Sequence, residues 1–429
     1  MTIKKTLLFL SVAAIATGCT LMAPESGGID WSKVPAKTVL LFYPGQSSYE
    51  WLRSDAHKNA TTETRRGDAC TSCHDDPEDI KGDGEKIVAG NALEPRPVKG
   101  KNPHVDLKVQ AAYDDKNAYL RFQWKTQRNA PGIEYPYYRF DGKEWKQHGY
   151  PKLDQVVQEG KQSGIYEDRL SLMLDDGKVP GFAQQGCWLT CHDGERDMPK
   201  LGSREDAQKY LKKADVRKYL PGSRTDPSDW RTIKSPDEVA KLKAAGGFVD
   251  LIQWRAHRSN PVGAADDGFV LEYRNFDAGK NPFASNLDTK TKQPRYMYDA
   301  AKFGAKSVAT AQVPGKGNFL IVGQNAVPFD ANAGWKAGEM VPRYYLQKPE
   351  GSGADNKASG TWKDGVWTMV LTRPLGLANA DDKALKPGGV YTVGFAVHDD
   401  NITTRGHFVS FPMSVGLGVK ADIQAVKLP

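Results

Sequence analysis

Between residues 105 and 124 the chain alternates between apolar and polar positions. Val105, Leu107, Val109 and Ala111 keep a period of two, and Leu120, Phe122 and Trp124 repeat it beyond the turn-forming Asp114-Asp115-Lys116-Asn117. Successive side chains of a strand face opposite sides, so this pattern predicts a β-hairpin. Leu170, Leu172 and Leu174 mark another strand that stops at Asp175-Asp176-Gly177. Further strands are predicted at 269–274, 319–322, 367–371, 391–398 and 408–415. Two helices interrupt the β pattern. One is predicted over Arg204 to Leu220. The other starts at Ser235 as N-cap with Pro236 in the first turn and stops before Gly246-Gly247. The 42 glycines and 26 prolines suit many turns and short strands better than a helical bundle. Together these features predict a mainly β protein, an antiparallel β-sandwich with helical insertions. Trp124 and Trp254 read either as core residues of that sandwich, the favoured reading, or as aromatic walls of a flat cofactor.

The first hundred residues read differently. Lys4 and Lys5 precede the short apolar run Thr6 to Ala16, which is too short to span a bilayer and has the form of an export leader. It ends in Ala16-Thr17-Gly18-Cys19, which resembles a bacterial lipobox with alanine where leucine is usual. Residues 1–18 are therefore expected to be a lipoprotein signal peptide and Cys19 the lipidated first residue of the mature chain. Thr20 carries no aspartate-type signal for inner-membrane retention. The expected location is the periplasm, lipid-anchored to the outer membrane. No other segment is long and apolar enough to cross a membrane. Residues 19–100 show little periodicity and are too few and too polar to build a core alone. An extended linker follows from Leu93 to Pro103. The net charge of +7 is mild for 429 residues and includes no basic block, which argues against a nucleic-acid partner.

Five cysteines carry the chemistry. Beyond Cys19, four form two close pairs, Cys70/Cys73 and Cys187/Cys191. Cys70-Thr71-Ser72-Cys73-His74 is a CxxCH motif. Two thiols at this spacing add to the two vinyl groups of a haem, and the adjoining histidine sits beneath the iron as proximal ligand. A zinc site would need two further thiol or imidazole ligands. Cys187-Trp188-Leu189-Thr190-Cys191-His192 is the longer CxxxCH variant, for which a local disulfide is the competing reading. Two covalently attached haems c are expected, the second on the weaker motif. The segment 19–100 then becomes a small haem-c module whose apolar interior the haem supplies, and 101–429 the β-sandwich domain. His57, seventeen residues before His74, is the expected second ligand of the first iron, with His104 as the rival. Acidic residues follow the first motif (Asp75, Asp76, Glu78, Asp79, Asp83, Glu85) and read either as a solvated loop or as a docking face for a basic redox partner.

From about Asn102 onward the chain resembles the ethylbenzene-dehydrogenase-type haem-binding domain. The carrying segments are Val105 to Trp124, Asp168 to Leu172, Leu251 to Ala256, Trp362 to Trp367, Arg373-Pro374-Leu375, Val393 to Val397 and His407 to Ser410. That family includes the γ subunits of molybdenum enzymes of the dimethyl-sulfoxide-reductase class and stand-alone c-type cytochromes. The resemblance implies a β-sandwich with one haem at one end of the sheets. In the γ subunits a methionine and a lysine hold a non-covalent haem. Here the methionine region contains Cys187 to His192, and His407 stands at the lysine position. The resemblance therefore implies a covalent haem with His192 proximal and His407 distal. His398 and His257 remain rival distal ligands, and Met198 is a weaker one; Met173 is read as a sheet residue. Arg255, Arg258 and Arg405 are candidates for haem propionates. Asp266 and Asp267 beside a glycine read as a turn rather than a metal site.

With both axial places filled, the irons offer no open site, and the expected function is electron transfer rather than catalysis. Expected partners are other redox proteins (cytochromes, a quinol oxidoreductase or a terminal reductase) and the membrane through the lipid. Two alternatives stand: the haem-carrying γ-type subunit of a molybdenum complex, and a reductase of a small oxidised nitrogen or sulfur species with one five-coordinate haem. No nucleophile elbow, phosphate loop or zinc signature supports hydrolytic or transfer chemistry.

Overall fold

The structure, a computed structural model, describes residues 28–429 except Asn59 and Pro314. The leader and Cys19 lie outside the described residues. No helix among the described residues is long and apolar enough to cross a membrane. The protein is mainly β. Its principal strands are β1 (Ala36–Phe42), β2 (His104–Tyr113), β3 (Asn117–Lys125), β4 (Arg169–Asp175), β5 (Val249–Arg255) and β6 (Lys357–Lys363). They continue with β7 (Val366–Pro374), β8 (Val390–His398), β9 (Phe408–Val409), β10 (Met413–Leu417) and β11 (Ile423–Lys427).

The predicted hairpin is β2 and β3, antiparallel, with Leu107 opposite Trp124 and Val109 opposite Phe122. Asp114 makes its turn by accepting the backbone N–H groups of Lys116 and Asn117, both at 2.7 Å. The inward residues Leu107, Val109 and Phe122 are fully buried.

The strand pairing departs from two separate facing sheets. β1, β2, β11, β10, β8 and β9 pair in sequence, and β9 returns to β1. These six strands form a closed ring. Closure depends on two strands that each take two partners along one edge. β2 pairs with β1 over His104 to Gln110 and with β11 at Ala112 and Tyr113; β8 pairs with β10 over Val390 to Val393 and with β9 at Ala396 and Val397. A ring leaves no strand edge within it exposed to stray pairing. Two wings extend from it. β3, β7 and β6 continue outward from β2, while β4 and β5 continue from β8 and end in the short strands Gly268–Val270 and Arg274–Phe276.

Trp124, Trp254 and Trp367 pack edge to face or stacked with centroids 4.9 to 6.2 Å apart, so Trp124 and Trp254 are core residues. A Cβ at Gly360 would stand 2.3 Å from the Trp254 ring, so the β6 backbone passes there only as glycine.

The short helices are α1 (Tyr49–Leu52), α2 (Thr61–Arg66), α3 (Pro77–Val88) and α4 (Pro236–Ala244). α4 begins as predicted, with a capping box between Ser235 and Glu238. The helix predicted over 204–220 is shorter. It covers only Arg204 to Leu211 and ends where Lys212 turns left-handed at φ 57°. Residues 319–322 form only isolated bridges, Ile321 to Leu346 and Val322 to Ala326, instead of a strand. Their partners are the end residues of two three-residue strands, Tyr344–Leu346 and Ala326–Pro328, which are too short to hold a continuous ladder. The described part of 19–100 contributes β1 to the ring between β2 and β9, and Ile87 of α3 packs into the main core.

Candidate functional site

The first site is built from α1, α2 and the CxxCH segment. Ser48 caps α1 by accepting from Trp51 N at 3.0 Å, and the chain then turns through His57. α2 ends at Gly67, whose left-handed φ of 93° lets the chain reverse toward Cys70. Cys70–Ser72 forms a tight helical turn, and His74 N donates to Cys70 O at 3.0 Å. This coiling sets the two thiols and the histidine on one turn.

The His57 and His74 rings lie with centroids 6.5 Å apart and planes 8° from parallel. Two imidazoles on opposite sides of one metal place their centroids roughly 6 to 7 Å apart, allowing about 2 Å per metal–nitrogen bond. The residues therefore fit a haem iron between them. Their outer nitrogens are also occupied. His57 Nδ1 meets Leu52 O at 3.1 Å, and His74 Nδ1 lies 3.5 Å from Asp83 Oδ2. Each Nε2 is thus left as the lone-pair donor, the arrangement that fixes the tautomer of a ligating histidine. Burial lowers the pKa of His74, with Asp83 opposing and His57 adding to the shift, so the ring is neutral and ready to ligate. Burial raises the Cys70 thiol to about 11. The acidic stretch forms the start of α3: Asp76 caps it, Glu78 pairs with Lys81 at 2.7 Å, and Asp83 faces His74.

The second site is a cavity of about 680 Å³, within the size range of cofactor sites. Cys187 and Cys191 line it together with His398 and His407. All four thiols, Cys70, Cys73, Cys187 and Cys191, are free, so the local disulfide is not formed. Gly394 of β8 makes room for the first thiol, since a Cβ there would stand 2.8 Å from Cys187 Sγ.

Four arginines from separate elements converge on the cavity: Arg169 from β4, Arg255 from the end of β5, Arg258 just after it, and Arg274. Two carboxylates partner them. Arg258 Nε donates to Glu167 at 2.7 Å, and Arg274 and Arg255 bond Asp266. Burial opposes the charge on Glu167, yet Arg258, Arg169 and Arg255 hold its pKa at about 2. Arg274 is lowered to about 9 by burial and then by Arg255. Guanidinium groups on the lining offer charge-assisted hydrogen bonds of the kind a haem propionate accepts. Arg405, also on the lining, bonds Tyr43 at 2.8 Å as well as Glu94. Arg169, Arg274, Glu167 and Asp266 share no local sequence pattern that marks them as a set; the Asp168-Arg169-Leu170 segment is the nearest signal.

The histidines separate into two groups. His398 and His407 stack with centroids 4.7 Å apart and planes 13° from parallel. His407 Nδ1 donates to the Thr404 carbonyl, which leaves Nε2 for a metal. Burial and then Lys218 lower its pKa to about 3, so it is neutral. His398 Nδ1 is buried without a hydrogen-bond partner. His192 lies off the cavity lining. Its Nδ1 meets Glu50 Oε1 at 2.7 Å, its Nε2 meets Tyr219 O at 3.0 Å, and its ring stacks on Tyr219 at 3.6 Å. The structure thus brings His407 to the two thiols and does not bring His192 with it. The backbone explains this. Cys191 leaves the turn Gly186–Thr190 in extended conformation, φ −107° and ψ 120°, whereas Cys73 keeps the chain turning with φ −120° and ψ −30°. Among the rivals, His104 begins β2 opposite Phe42, and His257 bonds Ile133 O at 2.8 Å beside Phe319. Met173 and Met198 both line the cavity, Met173 as a β4 sheet residue.

Two thiol pairs, a parallel histidine pair and an arginine-lined cavity on a β ring define a haem-related protein. The ethylbenzene dehydrogenase family model matches residues 29–410, and the chain belongs to that family. It is 27% identical to cytochrome c-552 of Stutzerimonas stutzeri over 425 residues, 99% of each chain. It is also 26% identical to cytochrome c-551 of Rhodocyclus tenuis over 171 residues, 40% of this chain and 58% of that one.

Proposed function

We propose that the protein is an exported c-type cytochrome that carries two covalent haems and passes electrons between redox partners outside the cytoplasm. The observation that carries this reading is the near-parallel pair His57 and His74, 6.5 Å apart, in the segment that holds Cys70 and Cys73. Cys70 and Cys73 would hold the first haem, with His74 and His57 as its axial ligands. Cys187 and Cys191 would hold the second in the arginine-lined cavity, where His407 presents an axial nitrogen. His192 completes that second pair only by giving up its bonds to Glu50 and the Tyr219 carbonyl. Haem, when bound, supplies reversible one-electron iron chemistry; the chain's residues set its potential through ligand type and burial. The lipid on Cys19 anchors the protein to the outer membrane, and the acidic start of α3 meets a basic partner. Cytochromes, quinol oxidoreductases and terminal reductases are the partner classes that fit such a carrier.

The family match favours a second reading, the haem-carrying subunit of a molybdenum oxidoreductase complex. The intact mass of the denatured mature protein separates the two. Two covalent haem increments support the dihaem carrier. One increment leaves the cavity to a non-covalent haem and favours the subunit reading.

A further inference from the structure

We propose that the protein also binds a structural calcium ion, held by Asp277, Asp381 and Asp382 where the loop after β7 meets the end of the β5 wing. Carboxylate oxygens of these three residues lie within 4.8 Å of one another, and those of Asp250, Asp267 and Asp382 form an adjoining trio. The group joins distant parts of the chain. Asp250 lies on β5, Asp267 precedes the short strand Gly268–Val270, Asp277 follows Arg274–Phe276, and Asp381 and Asp382 lie between β7 and β8. Asp267, read from the sequence as a turn residue, is fully buried within the cluster.

Five carboxylates converge, and none is more than 8% exposed. The positive charge facing them is insufficient. Arg373 bonds Asp250 and reaches Asp382 at 2.8 Å, with Asp267 at 3.7 Å. Lys383 turns its ammonium away, to Asp176, to Asp175 at 3.2 Å and to the Gly246 carbonyl at 2.6 Å. Neutral donors serve part of the remainder. Ser352 Oγ donates to Asp381 at 2.8 Å, Ala278 N to Asp381 at 2.9 Å, and Asn379 Nδ2 to Asp382 at 2.9 Å.

A separate observation points to the missing ligand. Asp277 is 5% exposed, yet both of its carboxylate oxygens are buried without a hydrogen-bond partner, and Asp250 Oδ1 is in the same condition. Buried polar atoms are almost always satisfied, and a buried unpaired carboxylate is costly. A hard cation relieves it. A dry set of protein carboxylates suits calcium, which takes six to eight oxygens in flexible geometry; magnesium holds on to its waters and demands a near-ideal octahedron. The ion would clip the 375–389 loop to the sheet.

The test uses the haem-loaded protein, treated with EGTA and then titrated with calcium chloride or magnesium chloride by calorimetry and thermal unfolding. The expected result is one calcium per chain, a rise in Tm with calcium, and a smaller response to magnesium at equal concentration. Asp277→Asn keeps the shape and removes the charge; it should weaken calcium binding by on the order of 100-fold or more, since losing even a residue that only supports a metal ligand costs about 10- to 100-fold. Asp381→Asn is the second variant should the first fail to fold. A wild-type protein that takes up no calcium and shows no Tm response overturns the proposal. Unchanged affinity in a folded variant, or equal binding of magnesium, overturns it too.

Discussion

Phe411 lies against His74, with ring centroids 5.2 Å apart and planes 20° from parallel. The same ring lies 5.2 Å and 21° from Trp188, which stands between Cys187 and Cys191. One aromatic side chain thus touches both the histidine of the CxxCH segment and the turn that carries Cys187 and Cys191. Replacing Phe411 with leucine keeps most of the local packing volume and removes the π contact. Intramolecular electron exchange, followed after rapid partial reduction, should slow, while both haem masses remain. An unchanged rate would place the path elsewhere. Phe411→Ala adds a packing loss of about 3 kcal/mol or less, since the site is only half buried.

His57 tests the first iron. His57→Ala should leave the covalent haem in place, because the thioethers are untouched, and convert one haem to a high-spin spectrum that responds to cyanide. His57→Met should restore a sixth ligand and raise the midpoint potential by part of the about 0.8 V span that axial ligands command. A low-spin spectrum in the alanine variant would remove His57 from the ligand set.

His407 and His192 make opposite predictions at the second iron. His407 has a nitrogen to give, and His192 has both nitrogens engaged. His407→Ala should change the spectrum of one haem. His192→Ala should leave that spectrum in place and lower stability by about 1 to 3 kcal/mol, because Glu50 and the Tyr219 carbonyl lose their partner. A spectral change in the His192 variant would mean that its ring turns toward the iron when the haem is attached.

Lys101 gives the pH dependence. It is 6% exposed, its Nζ lacks a hydrogen-bond partner, and it sits 3.4 Å from the centroid of Phe408. Burial lowers its pKa to about 7, with Asp399 opposing. Between about pH 7 and the unfolded value near 10.4, the unfolded chain holds a proton that the folded chain has released. Stability therefore rises with pH across this window, by about 1.4 kcal/mol per unit from this one group. Below pH 7 both states are protonated and the term is constant. Lys101→Met should flatten the slope and raise stability at neutral pH, as read by denaturant unfolding at pH 7, 8 and 9. An unchanged slope would show that Lys101 is not its source.

The parts of this protein set by its sequence alone are those decided by neighbours along the chain. The β2–β3 hairpin follows from a period-two pattern and an Asp-rich turn within twenty residues. The cap at Ser235 follows from Pro236 and Glu238, and the pairing of His57 with His74 from a five-residue motif with a histidine seventeen residues upstream. Each depends on local geometry that the residues themselves dictate. Tertiary structure decided the rest. Ring closure through β2 with β11 and β8 with β10 joins strands whose own patterns would suit a flat sandwich equally well. The arginine quartet gathers residues 169, 255, 258 and 274, and the buried aspartates gather 250, 267, 277, 381 and 382. The side chain of His192 is held by Glu50 and Tyr219, one from far upstream and one from a loop beyond it. Periodicity records which face of an element is buried, but not which distant element covers it, and charge pairing across that distance is settled only when the chain has closed.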